Sequence, residues 1–323
     1  MAIINVEEDF QGDLEGAIAS AQSGDTVQLG AKTYNTSGIV IDKNITVEGQ
    51  EGTVVDGDGT SQAIFDLTSR ASGATIENIE ITNGNIGVRV LSANDVTLEG
   101  LEIHNIGITE TIRDGENNVG ISLTYADNFQ VLDSELYNIG RKGVGINGSQ
   151  GGIVDGLTIR EVNLAGENAQ SFDTAGIKPF NTSDITISNN TLSDINAISI
   201  WNDLTTGTTI DGNVVTGVGE DFLKPEFNPA VDIFGIYNEK SYDSTVINNE
   251  VDAVGRFFAF RATEFSTETM VMENNDFSKM EINTTDFWVN EQAEKLVAIT
   301  EDPYAADFDL FAEEFIAQAN IGN

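Results

Sequence analysis

Lys240 and Arg261, in the stretch NEKSYDSTVINNEVDAVGRFFAFR, are two of only fifteen basic residues in a chain of 323 that carries 53 acidic ones. Cations kept 21 residues apart against that background raise the question of what chemistry they could share, and removal of a proton next to a carboxylate is one candidate. The C5 proton of a uronic acid is hard to take because a carboxylate is a poor electron sink. A cation at the carboxylate stabilises the enolate-like intermediate, and a base must accept the proton. A lysine among other cations can do this, so Lys240 needs Arg261 or a metal beside it, and Tyr237 is the alternative base or acid. Glycoside hydrolysis would instead need two carboxylates at a set separation; no local DD or GHG cluster marks such a pair.

A second set of residues could hold a sugar. The elements IGVRV (from 86), VGISL (119), AGIKPF (175), AISIW (197) and FGIYN (234) share an alternation. With Ile121, Ile177, Ile200 and Ile236 inward, Ser122, Lys178, Trp201 and Tyr237 face outward on neighbouring coils, with Arg89 at the end of the row. Cations pair with sugar carboxylates, and aromatic faces stack on sugar rings. Lys178, Trp201, Arg141 and Lys142 are therefore the expected substrate contacts. Any one outward lysine or tyrosine is ordinarily a solvated surface residue; their shared row is the argument. His104, the only histidine, reads as a surface residue.

These residues must be positioned by a repeat. The pattern apolar, polar, Asn/Asp/Gly, any, any, apolar recurs as IENIEI, LEGLEI, VLDSEL, VDGLTI, ISNNTL, IDGNVV, VINNEV and MENNDF. Its third residue falls at 78, 100, 133, 156, 189, 212, 248 and 274, giving a period of 22 to 23 residues with additions in three coils. Three short alternating strands and three turns rich in Asn, Asp and Gly fill one period, which predicts a single-stranded right-handed parallel β-helix of about ten coils. The additions, at 104–119, 160–175 and 216–231, should stack into one wall of a groove. Leu14, Ala17, Ile18 and Ala21 form one apolar stripe of a capping helix over 13–23, ended at Gly24. The repeat fades after about 282, so 1–282 reads as the β-helix domain and 283–323 as a cap and acidic tail.

Composition narrows the chemistry. Without cysteine there are no disulfides, thiolate metal sites or cysteine nucleophiles, and one histidine excludes multi-histidine metal centres. A net charge of −38 disfavours nucleic acid and anionic lipid as partners. No apolar run approaches the roughly 18 residues of a membrane span. The opening MAIINVEEDF lacks the basic and apolar segments of a secretory signal, although a polysaccharide partner implies an extracellular location. A monomer is expected.

The stretch 238–261 resembles the region of family 6 polysaccharide lyases (alginate lyases and chondroitinase B) that reads roughly N-K-S…N-N…G…R-H. The Lys-Ser pair, the Asn-Asn pair and the lysine-to-arginine spacing carry the likeness, with Ala262 in the histidine's place. The resemblance implies Lys240 as base, Arg261 as acid or stabiliser about 8 Å away on the next coil, and a uronate whose carboxylate is neutralised by Ca2+. Asn202 and Asp232 would form part of that calcium site. A uronate C5-epimerase and a non-catalytic adhesin or matrix module are the alternatives.

Overall fold

The computed structural model describes residues 1–57, 59, 63–107, 118–163, 173–196, 198–216, 234–252, 258–262 and 270–276; for Phe234 and strand Phe258–Ala262 it describes the backbone alone. Each coil passes through three strands, and every strand pairs in parallel with its equivalent one coil away. Among the described residues this gives a first sheet of eleven strands and a second and third of nine each. Val27, Val47, Ile76, Leu98 and Val131 line the inside of the first sheet in register. The chain is a parallel β-helix, as its period requires.

The recurring Asn/Asp/Gly position has a backbone cause. Residues 78, 100, 133, 156, 189, 212, 248 and 274 all have φ between 45° and 71°, the left-handed region that glycine and asparagine enter most readily. The residues just after several of these turns form an internal ladder. Asn190 donates to Asn213, Asn213 to Asn249 and Asn249 to Asn275, each at 2.9 Å and fully enclosed. Such a ladder satisfies polar groups that burial would otherwise penalise. The Asn248–Asn249 pair therefore serves the fold rather than the chemistry.

The third sheet follows the expected alternation with one addition. Its inward column is Val88, Ile121, Val144, Ile177, Ile200 and Ile236, all fully enclosed. Each such side chain contributes about 1.5–3 kcal/mol by burial. Val144 stands between Ile121 and Ile177, so those two are not on adjacent coils; the strand Lys142–Asn147 belongs to the repeat although its glycines hide the pattern. Gly143 is demanded by close approach: a Cβ there would lie 2.6 Å from the carbonyl oxygen of Gly176 on the next coil.

At the N-terminal end the cap differs from the expectation in detail. Helix Leu14–Ser20 is shorter than 13–23, begins at an Asp13 side chain that accepts from the Gly16 N–H, and stops at Ala21 rather than Gly24. Gly24 lies in the following turn at φ 90°. The four stripe residues are buried as expected, and a further helix, Val6–Phe10, joins the cap. The additions fall between the second and third sheets, after Ile106, Val162 and Thr216. Their bulk, and 283–323, lie outside the described residues.

Candidate active site

Strand register sets the outward row of the third sheet as Arg89, Ser122, Gly145, Lys178, then Trp201 and Tyr237, with the backbone of Arg261 paired next to Tyr237. Two residues further along each strand, a second row brings Asn147, Phe180, Asp203 and Glu239 into line. A cavity of about 580 Å³ opens over the middle of these rows, a volume typical of ligand sites. Lys178, Trp201, Arg141, Lys142 and Lys240 line it together with Asp173, Asp203 and Glu239. Four of the fifteen basic residues thus converge on one cavity of an otherwise strongly acidic chain.

The cations are organised around one carboxylate. Asp173 Oδ2 accepts from Arg141 Nη2 and from Lys142 Nζ at 2.6 Å, while Oδ1 pairs with Lys178 Nζ at 2.9 Å. Arg141 Nε also donates to the Asp173 carbonyl at 3.1 Å. Lys178, almost fully buried, pairs again with Asp203 at 3.1 Å and sits 3.2 Å from the centre of the Trp201 ring. Buried charges persist only when paired in this way.

Burial lowers the Lys142 ammonium pKa, with Asp173 opposing and Arg141 and Lys178 adding to the shift. Burial pushes the Asp173 carboxyl up, but Lys142 and Lys178 outweigh it and hold it below the usual range. Asp203 is raised, chiefly by burial and further by Glu239, against the pull of Lys178.

Trp201 occupies a different role from the one its type suggests. Lys178 covers it from the preceding strand, and Tyr237 stacks on it from the following one at 5.9 Å and 20°. Its indole N–H donates to Glu239 at 3.1 Å. Both ring faces are taken, so Trp201 holds Lys178 and Glu239 in place rather than offering a flat platform for a sugar. Tyr237 is buried beneath this stack.

Lys240 lies one residue past strand Phe234–Glu239 and has φ 49°. It stands at the sheet corner, the place that Tyr125, Gly148, Asn181 and Leu204 hold on earlier coils with the same left-handed backbone. Its half-exposed ammonium pairs with Glu239 at 3.3 Å. The buried Ser241 hydroxyl fixes this corner, bonding the Asn202 and Glu239 carbonyls at 3.1 and 2.9 Å. The serine of the Lys-Ser pair is thus structural.

The register corrects the spacing argument: Arg261 lies opposite Tyr237, 24 residues away, and not opposite Lys240. Fewer of the last coil's extra residues follow Arg261 than its landmark spacing suggests. Asn202 is enclosed in the cylinder: its Nδ2 donates to Asn238 and, at 3.2 Å, to Ser244, and its Oδ1 accepts from Thr205 at 2.7 Å. It presents no free oxygen to a cavity cation. Asp232 lies outside the described residues. Among the described residues no group of three or more His, Asp or Glu could hold a metal, so they do not fit the calcium site that the resemblance implies.

The sequence reading missed Asp173, Asp203 and Glu239. One more step of the alternation from Trp201 and Tyr237 reaches Asp203 and Glu239. Asp173 carries no periodic signal, since it lies at the end of an addition, before strand Ala175–Phe180. His104 lies in strand Glu102–Ile106 rather than in a loop, half-buried and stacked on Tyr137.

Comparison with known proteins bears on the fold. The catalytic domain of a GH87 α-1,3-glucanase in complex with tetrasaccharides superposes with a TM-score of 0.54 at 12% identity, over 81% of this chain and 56% of that one. The family 28 exopolygalacturonase of Yersinia enterocolitica gives 0.51 at 12%, over 86% and 74%. An alginate lyase from Paenibacillus sp. str. FPU-7 gives 0.47 at 17%, over 85% and 94%, too low to add to the argument. The chain spans little more than half of the glucanase domain it matches. No curated protein matches it in sequence. The family model for the right handed beta helix region matches residues 18–253 and 119–293, and with the register of its three sheets this shows that the chain belongs to the right-handed β-helix family.

Proposed function

We propose that the protein degrades a uronate-bearing polysaccharide by β-elimination, outside the cell, with the third-sheet cavity as its active site. The observation that carries this reading is the convergence of Arg141, Lys142 and Lys178 on a single carboxylate within a cavity. A neutral sugar has no use for three buried cations, whereas a uronate carboxylate matches them in charge and geometry. Their charge is in place before reaction, so it stabilises the enolate-like intermediate without reorganisation.

Lys240, half-exposed at the cavity wall, is assigned as the proton acceptor, in keeping with the family 6 likeness of its surroundings. In its neutral form it takes the C5 proton; the electron pair forms the C4–C5 double bond, the C4–O bond breaks, and the departing oxygen takes up a proton from water. Arg261, next along the row after Tyr237, is assigned to the departing oxygen. The cations supply the neutralisation that calcium gives in the resembled family, and no step here runs through a metal. The glucanase and exopolygalacturonase with similar cylinders carry names of enzymes acting on polysaccharides, which supports the substrate class.

A second reading rests on Asp203 and Glu239. They lie opposite one another in register, and Asp203 titrates high. Carboxyls on adjacent strands, about 4.8 Å apart at the backbone, come near the separation used by retaining glycosidases. One experiment separates the two: incubation with a panel of uronate polymers, following both ultraviolet absorbance of unsaturated uronate and new reducing ends. β-Elimination gives both signals together. Reducing ends without absorbance would favour hydrolysis by Asp203 and Glu239, and neither signal would leave a C5-epimerase or a binding module.

A further inference from the structure

We infer that Asp173 occupies the place of the substrate's carboxylate, as a built-in competitor that a uronate must displace. This rests on the uronate reading above. The cage and its anion come from different parts of the fold. Arg141 and Lys142 belong to one coil, at the start of strand Lys142–Asn147, and Lys178 to the middle of strand Ala175–Phe180 on the next. Asp173 is on neither strand; it lies near the end of the second addition, two residues before strand Ala175–Phe180. The cations are therefore fixed by the sheet, and the anion is delivered from beside it.

Exposure follows the same division. The side chains of Arg141, Lys142 and Lys178 are 8%, 15% and 6% exposed, against 35% for Asp173. The carboxylate is thus the most solvent-exposed member of the cage, and all four residues line the cavity. Both of its oxygens are engaged, Oδ2 by Arg141 and Lys142 and Oδ1 by Lys178. An incoming carboxylate would make the same set of charge-assisted bonds. Lys178 keeps its second partner, Asp203, throughout the exchange, so the cage is never left without an anion.

Swapping one carboxylate for another conserves charge and bond number, so the barrier to binding is the tether. A group held on the same chain competes at an effective concentration in the millimolar range. A single uronate has only this one contact with which to win. A polymer adds contacts along the sheet and displaces Asp173 more easily. The device selects for chain length and against free uronic acids and short fragments.

The test is calorimetric titration of Asp173→Asn and wild-type protein with uronate di- and trisaccharides, longer uronate oligomers and a neutral oligosaccharide. Asparagine keeps the size of the side chain and removes its charge. The variant should bind the short acidic sugars on the order of tenfold more tightly than wild type. Long oligomers should gain less, and the neutral sugar nothing. Asp173→Ser carries the same expectation if the asparagine variant folds poorly. Unchanged or weaker binding of short acidic sugars by a folded variant, while wild type binds long uronate oligomers, overturns the competitor and leaves the uronate reading standing. Failure of every acidic sugar to bind either protein overturns both.

Discussion

Two outward faces of this cylinder carry aromatic and basic side chains in strict register, and a cavity opens over the third-sheet one. On the second sheet His104, Tyr137 and Arg160 follow one another on adjacent strands. His104 stacks on Tyr137 at 4.7 Å, and the Arg160 guanidinium lies 4.0 Å from the same ring's centre. Arg160 pairs with Glu135 and Glu161, and His104 with Glu80. The Tyr137 phenol is pushed up to about 12 by burial and by its bond to Glu102. Each polar group there is matched by an acid of its own. On the third sheet three cations share Asp173, and the aromatic ring that might have been a platform instead holds a lysine. Residue type and register are alike on the two faces. The difference lies in the ratio of cations to acids and in the space above them.

That contrast can be broken by substitution, and the largest effect should come from the corner. Lys240→Asn should reduce turnover to background while leaving the fold intact. Asparagine suits the left-handed backbone at this position, so the melting temperature should hold or rise, by up to about 1 kcal/mol of stability. An active Lys240→Asn enzyme would move the base elsewhere.

Lys178→Ala comes next. It should lower kcat/KM by about 10²–10³-fold, on the scale of a lost oxyanion donor. It should also destabilise by about 3–5 kcal/mol, because Asp203 and Asp173 lose a buried partner. Arg160→Ala on the second sheet should leave kcat/KM unchanged; a comparable loss there would erase the distinction between the faces.

Trp201→Ala tests whether the indole positions Lys178. Losing the cation–π contact should cost about 1–2 kcal/mol and act on acidic substrates, whereas a sugar platform would lose neutral and acidic sugars alike. Binding measured with both kinds of oligosaccharide distinguishes the two.

The smallest effect concerns pH. Asp173 titrates below the usual carboxylate range when folded. Its stabilisation is therefore complete above that range and is lost as pH falls through it towards the lowered folded value. Asp173→Asn should show a shallower acid limb in a plot of melting temperature against pH.

Much of this comparison was legible in the sequence, for identifiable reasons. The period could be read because left-handed turns restrict residues 78 to 274 at the landmark to Asn, Asp and Gly. The row Lys178–Trp201–Tyr237 followed from alternation. Gly143 and Gly145 concealed a whole coil by removing side chains that mark a strand, and at Gly143 close contact with the Gly176 carbonyl leaves no room for one. Lys240 was placed beside Arg261 because spacing alone does not say where a strand ends and its corner begins. The Asn-Asn pair and Ser241 matched a lyase motif for structural reasons, as internal ladder and corner bond. Asp173 was invisible because its partners are on two coils, 31 and 5 residues away in sequence.

The central claim is that the cage of Arg141, Lys142 and Lys178 recognises a sugar carboxylate. Its most direct test is titration of the wild-type protein with a long uronate oligosaccharide and with the same oligosaccharide after reduction of its carboxyl groups to alcohols. The account predicts saturable binding of the acidic form, weakened by salt, and no measurable binding of the reduced form. Equal affinity for the two would contradict it.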